Sequence, residues 1–497
     1  MALTFDHDQN DTIAAIATGS SDAGIGIIRI SGPAVLRIVE KLFRSPAALK
    51  ASSCGTVHPS EWKPYTIHYG YIVDPDSGEL LDEVLISWMK APRSYTSEDT
   101  AEINTHGGQY VMQKVLSAVL RAGARAAEPG EFTRRAFLHG RIDLSQAEAV
   151  MDLIHSRTEF ARKSSLSQLG GAVSSSIRPL RAEILHEMAF IESALDDPEH
   201  FSLEEYPPSL DVKCRKWTFE LQRGIDASEN GRILREGIAV TIVGRPNVGK
   251  SSLLNALTGT ERAIVTGIPG TTRDTLEETV RLGDLVLRLT DTAGIRDTED
   301  EVERIGVART IQAADTAQLI LFLLDSSEKL TAEDLRIVDL TAEAMREGRK
   351  CVILLNKSDL PARFCREDIE KLYLYRASGN SSECPPASSA VVPNILTLSL
   401  KTGAGLEQLE DRIRRMFVQG NLSESSDLLL CHERQISELR RAKDALLLVR
   451  DGIQQGISEE FLTVDLSDAY AALGRILGEV VEDDLIDEIF SEFCLGK

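Results

Sequence analysis

One segment constrains this chain more than any other: Gly244-Arg245-Pro246-Asn247-Val248-Gly249-Lys250-Ser251. It has the form G-x-x-x-x-G-K-S. An apolar run, Ile238 to Val243, precedes it, and a helical segment, Ser252 to Leu257, follows. A strand, a glycine-rich turn and a helix in that order wrap backbone N–H groups around phosphates, and the helix N-terminus favours their negative charge. Lys250 would reach the β- and γ-phosphates, and Ser251 would ligate Mg²⁺. The candidate phosphate-loop contacts are Asn247, Val248, Gly249, Lys250, Ser251 and Ser252.

Such a loop requires a parallel sheet, and the surrounding sequence supplies one. Leu285 to Thr290, Leu319 to Leu324, Cys351 to Leu355 and Ile395 to Ser399 are apolar runs separated by helix-length segments, which is how strands buried on both faces read. Short polar boxes end several of them. In Asp291-Thr292-Ala293-Gly294, Asp291 can hold Mg²⁺ through water and the Gly294 N–H can meet the γ-phosphate. In Asn356-Lys357-Ser358-Asp359, the acid can accept both the N1–H and the 2-amino group of guanine. Adenine lacks that pair, and a site built to pair such groups discriminates by up to about 10⁴–10⁵. The expected nucleotide is therefore GTP. Ser399-Leu400-Lys401 fits a loop that meets the guanine O6 through its backbone. Between the first two boxes lies a switch segment, Thr266-Gly267-Ile268-Pro269-Gly270-Thr271-Thr272-Arg273-Asp274, where a threonine hydroxyl can complete Mg²⁺ coordination. Many small GTPases follow the Gly294 position with glutamine to orient the attacking water. Here it is Ile295. Either hydrolysis is very slow or another polar group substitutes; carboxylates are available at Glu299 to Glu303, a run that also reads as a solvated face.

The flanks have different textures. Residues 1–140 mix short alternating strands, among them Ile25 to Ile30 and Glu83 to Trp88, with a helical stretch from Val111 to Arg121. A small α+β domain is expected. From Leu144 the chain turns helical, with Asp143 and Ser145 as candidate N-caps and Ser145-x-x-Glu148 in capping-box form. Leu180, Ile184, Met188, Ile191 and Leu195 recur at spacings of 4, 4, 3 and 4, one face of a helix expected to stop before Pro198. Ile436, Leu439, Ala442, Leu446, Val449 and Ile453 form a second stripe near the end. Two amphipathic flanks must bury their stripes, and each other is the economical choice. The expected fold is multidomain α/β: an α+β domain over 1–140, a helical domain in two parts over 141–236 and 421–497, and a doubly wound P-loop domain over 237–420. Tyr375 to Asn394, rich in Ser, Pro and Ala, reads as a loop or insertion.

Composition narrows the partners. The 497 residues carry 55 basic and 77 acidic side chains, a net charge of −22. That speaks against a protein coating nucleic acid non-specifically, which needs a basic surface, but leaves room for local patches such as Arg134, Arg135 and Arg141. No apolar run spans a bilayer. The first residues lack the basic charge of a secretory or mitochondrial leader. Seven cysteines without a C-x-x-C pair read as reduced cytoplasmic thiols.

The chain resembles the TrmE (MnmE) family of bacterial tRNA-modifying GTPases, within the TrmE-Era-EngA-like group. The resemblance rests on Gly26-Ile27-Ile28-Arg29-Ile30-Ser31-Gly32, Glu102-Ile103-Asn104-Thr105-His106-Gly107-Gly108, Pro129-Gly130-Glu131-Phe132-Thr133-Arg134-Arg135-Ala136-Phe137-Leu138, the loop Gly244 to Asn255, Gly270-Thr271-Thr272-Arg273-Asp274, Glu301-Val302-Glu303-Arg304-Ile305-Gly306 and the ending Cys494-Leu495-Gly496-Lys497. It implies an N-terminal folate-binding and dimerising domain, a discontinuous helical domain and an inserted GTPase domain. It also implies an activity: with the FAD-binding partner MnmG, in a heterotetramer, a carboxymethylaminomethyl or aminomethyl group is added at C5 of the wobble uridine, position 34, of certain tRNAs. A 5-formyl- or methylene-tetrahydrofolate supplies the one-carbon unit. By the same resemblance, Asn247 and the backbone carbonyls of Thr266, Ile268 and Thr271 hold K⁺. Ser251 and Thr272 hold Mg²⁺, and Glu303 orients the attacking water. Hydrolysis is coupled to pairing of two GTPase domains in the homodimer. Arg29, Glu102, Arg141 and Lys497 contact folate; relatives often carry Lys where Arg141 stands, and the planar fork changes the contact geometry. Cys494 reads either as a catalytic thiol or as a small apolar plug under the tail, and no base stands near it in sequence. The alternative activity is a ribosome-assembly GTPase switch. Such proteins carry a basic RNA-binding module, and the acidic stretch Glu479 to Glu492 offers none.

Overall fold

The computed structural model describes the chain except residues 1–10, 20–22, 51–57, 157, 198–199, 201–202, 204–205, 260–277, 284, 290–316, 378–392, 418–429, 431, 480–485, 487–488, 492, 494–495 and 497. The chain divides into two compact units, one comprising residues 1–154, 166–207 and 451–497, the other 155–165 and 208–450.

The first unit is built on a seven-stranded sheet. Its strands are β1 (Ile13–Ile16), β2 (Ile25–Ser31), β3 (Phe43–Arg44), β4 (Thr66–Val73), β5 (Leu80–Met89), β6 (Thr100–His106) and β7 (Arg125–Ala126), in the order β3-β4-β5-β6-β2-β1-β7. Strand alternation decides what faces where. Ile28 and Ile30 of β2 point into a core shared with the helices Val35–Leu42 and Gln109–Ala122. Their neighbour Arg29 therefore lies on the opposite face, directly across from Glu102 of β6. On that face the helix Glu131–Leu138 brings Phe132 against Ile13 and Ala15.

The helix Ala172–Asp196 ends ahead of Pro198, as expected, and runs through Pro179. Leu180, Ile184 and Ile191 are buried, Met188 is half-buried and Leu195 is exposed, because 4-4-3-4 spacing drifts off one face over four turns. Arg181, buried on this helix, donates to the carbonyl of Tyr470 at 3.2 Å, lies over that ring at 4.1 Å and pairs with Glu479. It thereby joins this helix to Glu459–Leu477, from the other end of the sequence. Of the two candidate N-caps of the helix Leu144–His155, Asp143 is the one used, and its box is completed by Gln146 instead of the expected Ser145–Glu148 pair. Asp143 accepts from the Gln146 N–H at 2.9 Å while Gln146 Oε1 accepts from the Asp143 N–H at 2.9 Å. Ser145 already lies inside the first turn and donates to Asp143 at 2.6 Å.

The second unit carries a six-stranded sheet: β8 (Ile238–Val243), β9 (Glu278–Leu282), β10 (Leu285–Leu289), β11 (Leu319–Asp325), β12 (Lys350–Asn356) and β13 (Asn394–Thr397), in the order β13-β12-β11-β8-β10-β9. All pairs are parallel except β9 with β10. The five apolar runs are strands; β9, a polar edge strand in a hairpin, went unread because three of its five residues are charged or hydroxylated. Within the same unit, residues 208–236 of the helix Tyr206–Glu236 and 433–450 of the helix Glu433–Gln455, from opposite sides of the sheet in sequence, are joined. Lys443 donates to Gln222 at 3.1 Å, Arg450 pairs with Asp211 at 2.9 Å, and the Leu430 N–H donates to Ser228 at 2.8 Å. The stripe from Ile436 to Val449 is fully buried, with Ile453 half-buried. The segment expected as a loop from Tyr375 begins inside the helix Arg366–Ala377; residues 378–392 are outside the described ones.

Candidate functional site

β8 is the central strand of its sheet. The chain leaving it fills one side first, with β9 and β10, and then the other, with β11 to β13. The carboxyl end of β8 is thus a topological switch point, where open α/β sheets bind ligands. The loop from Gly244 starts there and runs into the helix Lys250–Gly259. Its sharp course uses positive φ at Asn247 (62°) and Gly249 (109°). A Cβ on Gly249 would lie 2.6 Å from Asn356 Nδ2, so glycine is required by contact as well as by backbone. Lys250 Nζ donates to the carbonyls of Gly244 at 2.6 Å and Arg245 at 3.0 Å, and burial pushes its ammonium below the usual lysine range.

Asn356 ties this loop to the next ones. Its Nδ2 donates to the Val248 carbonyl at 2.7 Å, and its Oδ1 accepts from the Leu400 N–H at 3.2 Å. Ser399 donates to Asp359 at 2.7 Å. That bond, aided by the charges of Lys401 and Lys357, holds the exposed Asp359 carboxyl below the usual range, ready to accept two N–H groups. Lys357, with φ of 62°, pairs with Asp325 at 2.6 Å. Burial alone would raise the Asp325 carboxyl; bonds from Lys357 and Ser327 outweigh it and hold the group low. Sequence reasoning missed Asp325, and its signal was an acid closing an otherwise apolar strand. The structure therefore brings together Asn247 to Ser252, Asn356, Lys357, Asp359 and Ser399 to Lys401. Ser251 and Ser252 open the helix, exposed. Thr266, Gly267, Ile268, Pro269, Gly270, Thr271, Thr272, Asp291, Thr292, Ala293, Gly294 and Glu303 lie outside the described residues. Among the described residues no group of three His, Cys, Asp or Glu side chains is placed to hold a metal.

A second cluster forms in the first unit. Arg29 donates through Nε to Glu102 at 2.9 Å and through a terminal nitrogen to the Gly496 carbonyl at 3.1 Å. Its guanidinium lies 5.3 Å from the Tyr95 ring centre, and that of Arg141 lies 4.9 Å from the same ring while donating to the Tyr95 carbonyl at 2.9 Å. Both contacts are within cation–π range. Tyr95 thus links Arg141 to Arg29, which is itself paired with Glu102, and Gly496 lies beside them. Gly496 has φ of 87°, and a Cβ there would meet the Ile16 carbonyl at 2.4 Å. The sequence offered no sign of Tyr95. Cys494 and Lys497 are outside the described residues. Arg135 does not join a surface patch as expected. It is 8% exposed and bonded to Glu98 at 3.1 Å, to Glu131 at 3.0 Å and to Asp11, because the helix Glu131–Leu138 turns it inward against carboxylates.

A phosphate loop at the switch point, with an amide and an acid at the ends of neighbouring strands, defines a P-loop GTPase. A family model described as "GTP-binding protein TrmE N-terminus" matches residues 12–141, and one for the MnmE helical domain matches residues 144–494. Proteins named tRNA modification GTPase MnmE are similar throughout: that of Lachnoclostridium phytofermentans is 47% identical over 98% of this chain and 100% of its own length, that of Bacillus licheniformis 44% over 98% and 100%, and that of Bacillus subtilis 44% over 98% and 100%. The chain belongs to the MnmE (TrmE) family of tRNA modification GTPases and is a GTP hydrolase. Among the described residues no helix is long and apolar enough to cross a membrane.

Proposed function

We propose that this chain works in the cytoplasm as a homodimer with an FAD-binding MnmG partner. Together they add an aminomethyl or carboxymethylaminomethyl group at C5 of uridine 34 of certain tRNAs. The observation that carries this reading is the 47% identity to an MnmE over 98% of the chain. Two features of the molecule support it. The cluster of Arg29, Glu102, Tyr95 and Arg141 offers an aromatic face, two cations and an acid, a donor and acceptor set suited to a tetrahydrofolate. The loop Gly244 to Ser251 carries Asn247, exposed and at positive φ, within the phosphate loop.

In this proposal Mg²⁺ is held by Ser251 and Thr272. K⁺ is held by Asn247 and the carbonyls of Thr266, Ile268 and Thr271, where positive charge stabilises the phosphoryl transition state. Glu303 orients water, since Ile295 cannot. Asp359 and the Leu400 backbone read guanine. The decisive experiment is mass spectrometry of wobble uridines in a deletion strain: loss of the modification is expected, and an unchanged nucleoside profile refutes the reading. In vitro, hydrolysis is expected to rise strongly when K⁺ replaces Na⁺, and equal rates would remove the potassium site. Glu303→Ala is expected to lower turnover with nucleotide affinity retained.

A further inference from the structure

A cavity of about 620 Å³ opens in the first unit beside the Tyr95 cluster. Three distant stretches of sequence line it, contributing Phe137 and Arg141, then Ser175 and Arg178, then Glu479. Its volume falls within the roughly 300–1,000 Å³ of small-molecule sites. Arg141 belongs to both places: it walls this cavity and lies against the ring that Arg29 covers. A ligand held at Arg29 and Glu102 has this cavity as its neighbour, with Arg141 between.

The charges around it favour an anion. Arg141 and Arg178 line it, and Arg181 stands behind. The two opposing carboxylates are already engaged. Asp143 accepts from Ser145 at 2.6 Å and from the Gln146 N–H at 2.9 Å. Glu479 takes Arg181 and, at 3.7 Å, Arg178. The Arg178 side chain is 63% exposed, so its terminal N–H groups remain available to carboxylate oxygens, which guanidinium binds in bidentate fashion.

We propose that this cavity binds the oligo-γ-glutamyl tail of a folate whose ring system occupies the Arg29–Glu102–Tyr95 cluster. The proposal rests on the folate reading given above and adds to it a preference for polyglutamylated over monoglutamyl cofactor. Arg141 spans the junction, and Arg178 meets the carboxylates beyond the first glutamate.

Calorimetric titration of the full chain with 5-formyl-tetrahydrofolate in its monoglutamyl and triglutamyl forms tests this. The triglutamate is expected to bind about tenfold more tightly, the gain of one charge-assisted contact. Arg178→Glu is expected to abolish that gain and to leave the monoglutamate affinity unchanged. Ser175→Glu, which adds an anion on the same helix one turn before Arg178, is expected to act alike. Equal binding of both forms by the unaltered chain overturns the tail site and leaves the folate reading standing. Binding of neither form overturns the folate reading itself, and a persisting preference in both variants places the tail elsewhere.

Discussion

Asn356 is expected to act as a staple of the nucleotide site, and Asn356→Ala is its sharpest test. The side chain is 3% exposed and bonds on both sides, giving to the Val248 carbonyl and accepting from the Leu400 N–H. The first bond is buried, so truncation leaves a carbonyl with no water in reach; such an orphan costs about 1–3 kcal/mol. The second is only partly buried, and water can replace it, so that loss is under about 1 kcal/mol. The middle of the combined range is roughly 2–3 kcal/mol, concentrated where the phosphate loop meets the guanine loops. If binding requires both loops in register, the guanine nucleotide Kd rises by about 30- to 150-fold. Titration with a fluorescent guanine nucleotide reads the affinity, and urea unfolding reads the stability. Asn356→Asp retains the acceptor for Leu400 but turns an oxygen toward the Val248 carbonyl, so it should be at least as damaging. A Kd within twofold of the original for Asn356→Ala, with unfolding unchanged, refutes the staple.

Other consequences follow from the same geometry. Gly249→Ala forces a Cβ toward Asn356 at φ of 109°; nucleotide affinity should fall by at least tenfold, about 1.4 kcal/mol, in the same titration. Burial lowers the Lys250 pKa, and bound phosphate should restore the charge. Nucleotide binding above neutral pH is therefore expected to take up protons and to weaken as pH rises, measured by calorimetry in buffers of different ionisation enthalpy; no proton uptake up to pH 10 would contradict it. Arg181→Met removes the bond to Tyr470 and leaves Glu479, itself 41% exposed, with Arg178 and solvent. The expected loss is about 1–3 kcal/mol, seen as a lower denaturant midpoint for the first unit.

Much of the nucleotide site was legible in the sequence, because its chemistry lies in contiguous boxes at strand ends. Gly244 to Ser251 specifies a turn of positive φ and a helix start, and these are local properties of the backbone. The apolar runs named five of six strands in the second unit for a similar reason: burial on both faces leaves few polar residues in the run. The doubly wound class followed from the same periodicities. What sequence could not give was every relation across distance. Tyr95 earns its place only because a loop after β5 carries it between Arg29 and Arg141. Asp325 matters only because β11 ends beside Lys357. Arg135 looked like surface charge, yet helix orientation faces it toward Asp11, Glu98 and Glu131. Gln146, and not Glu148, completes the cap at Asp143, since helix onset differs by two residues from the pattern. Local backbone chemistry is written residue by residue; the pairing of side chains far apart in the chain depends on strand register and helix rotation, which the packed core alone decides.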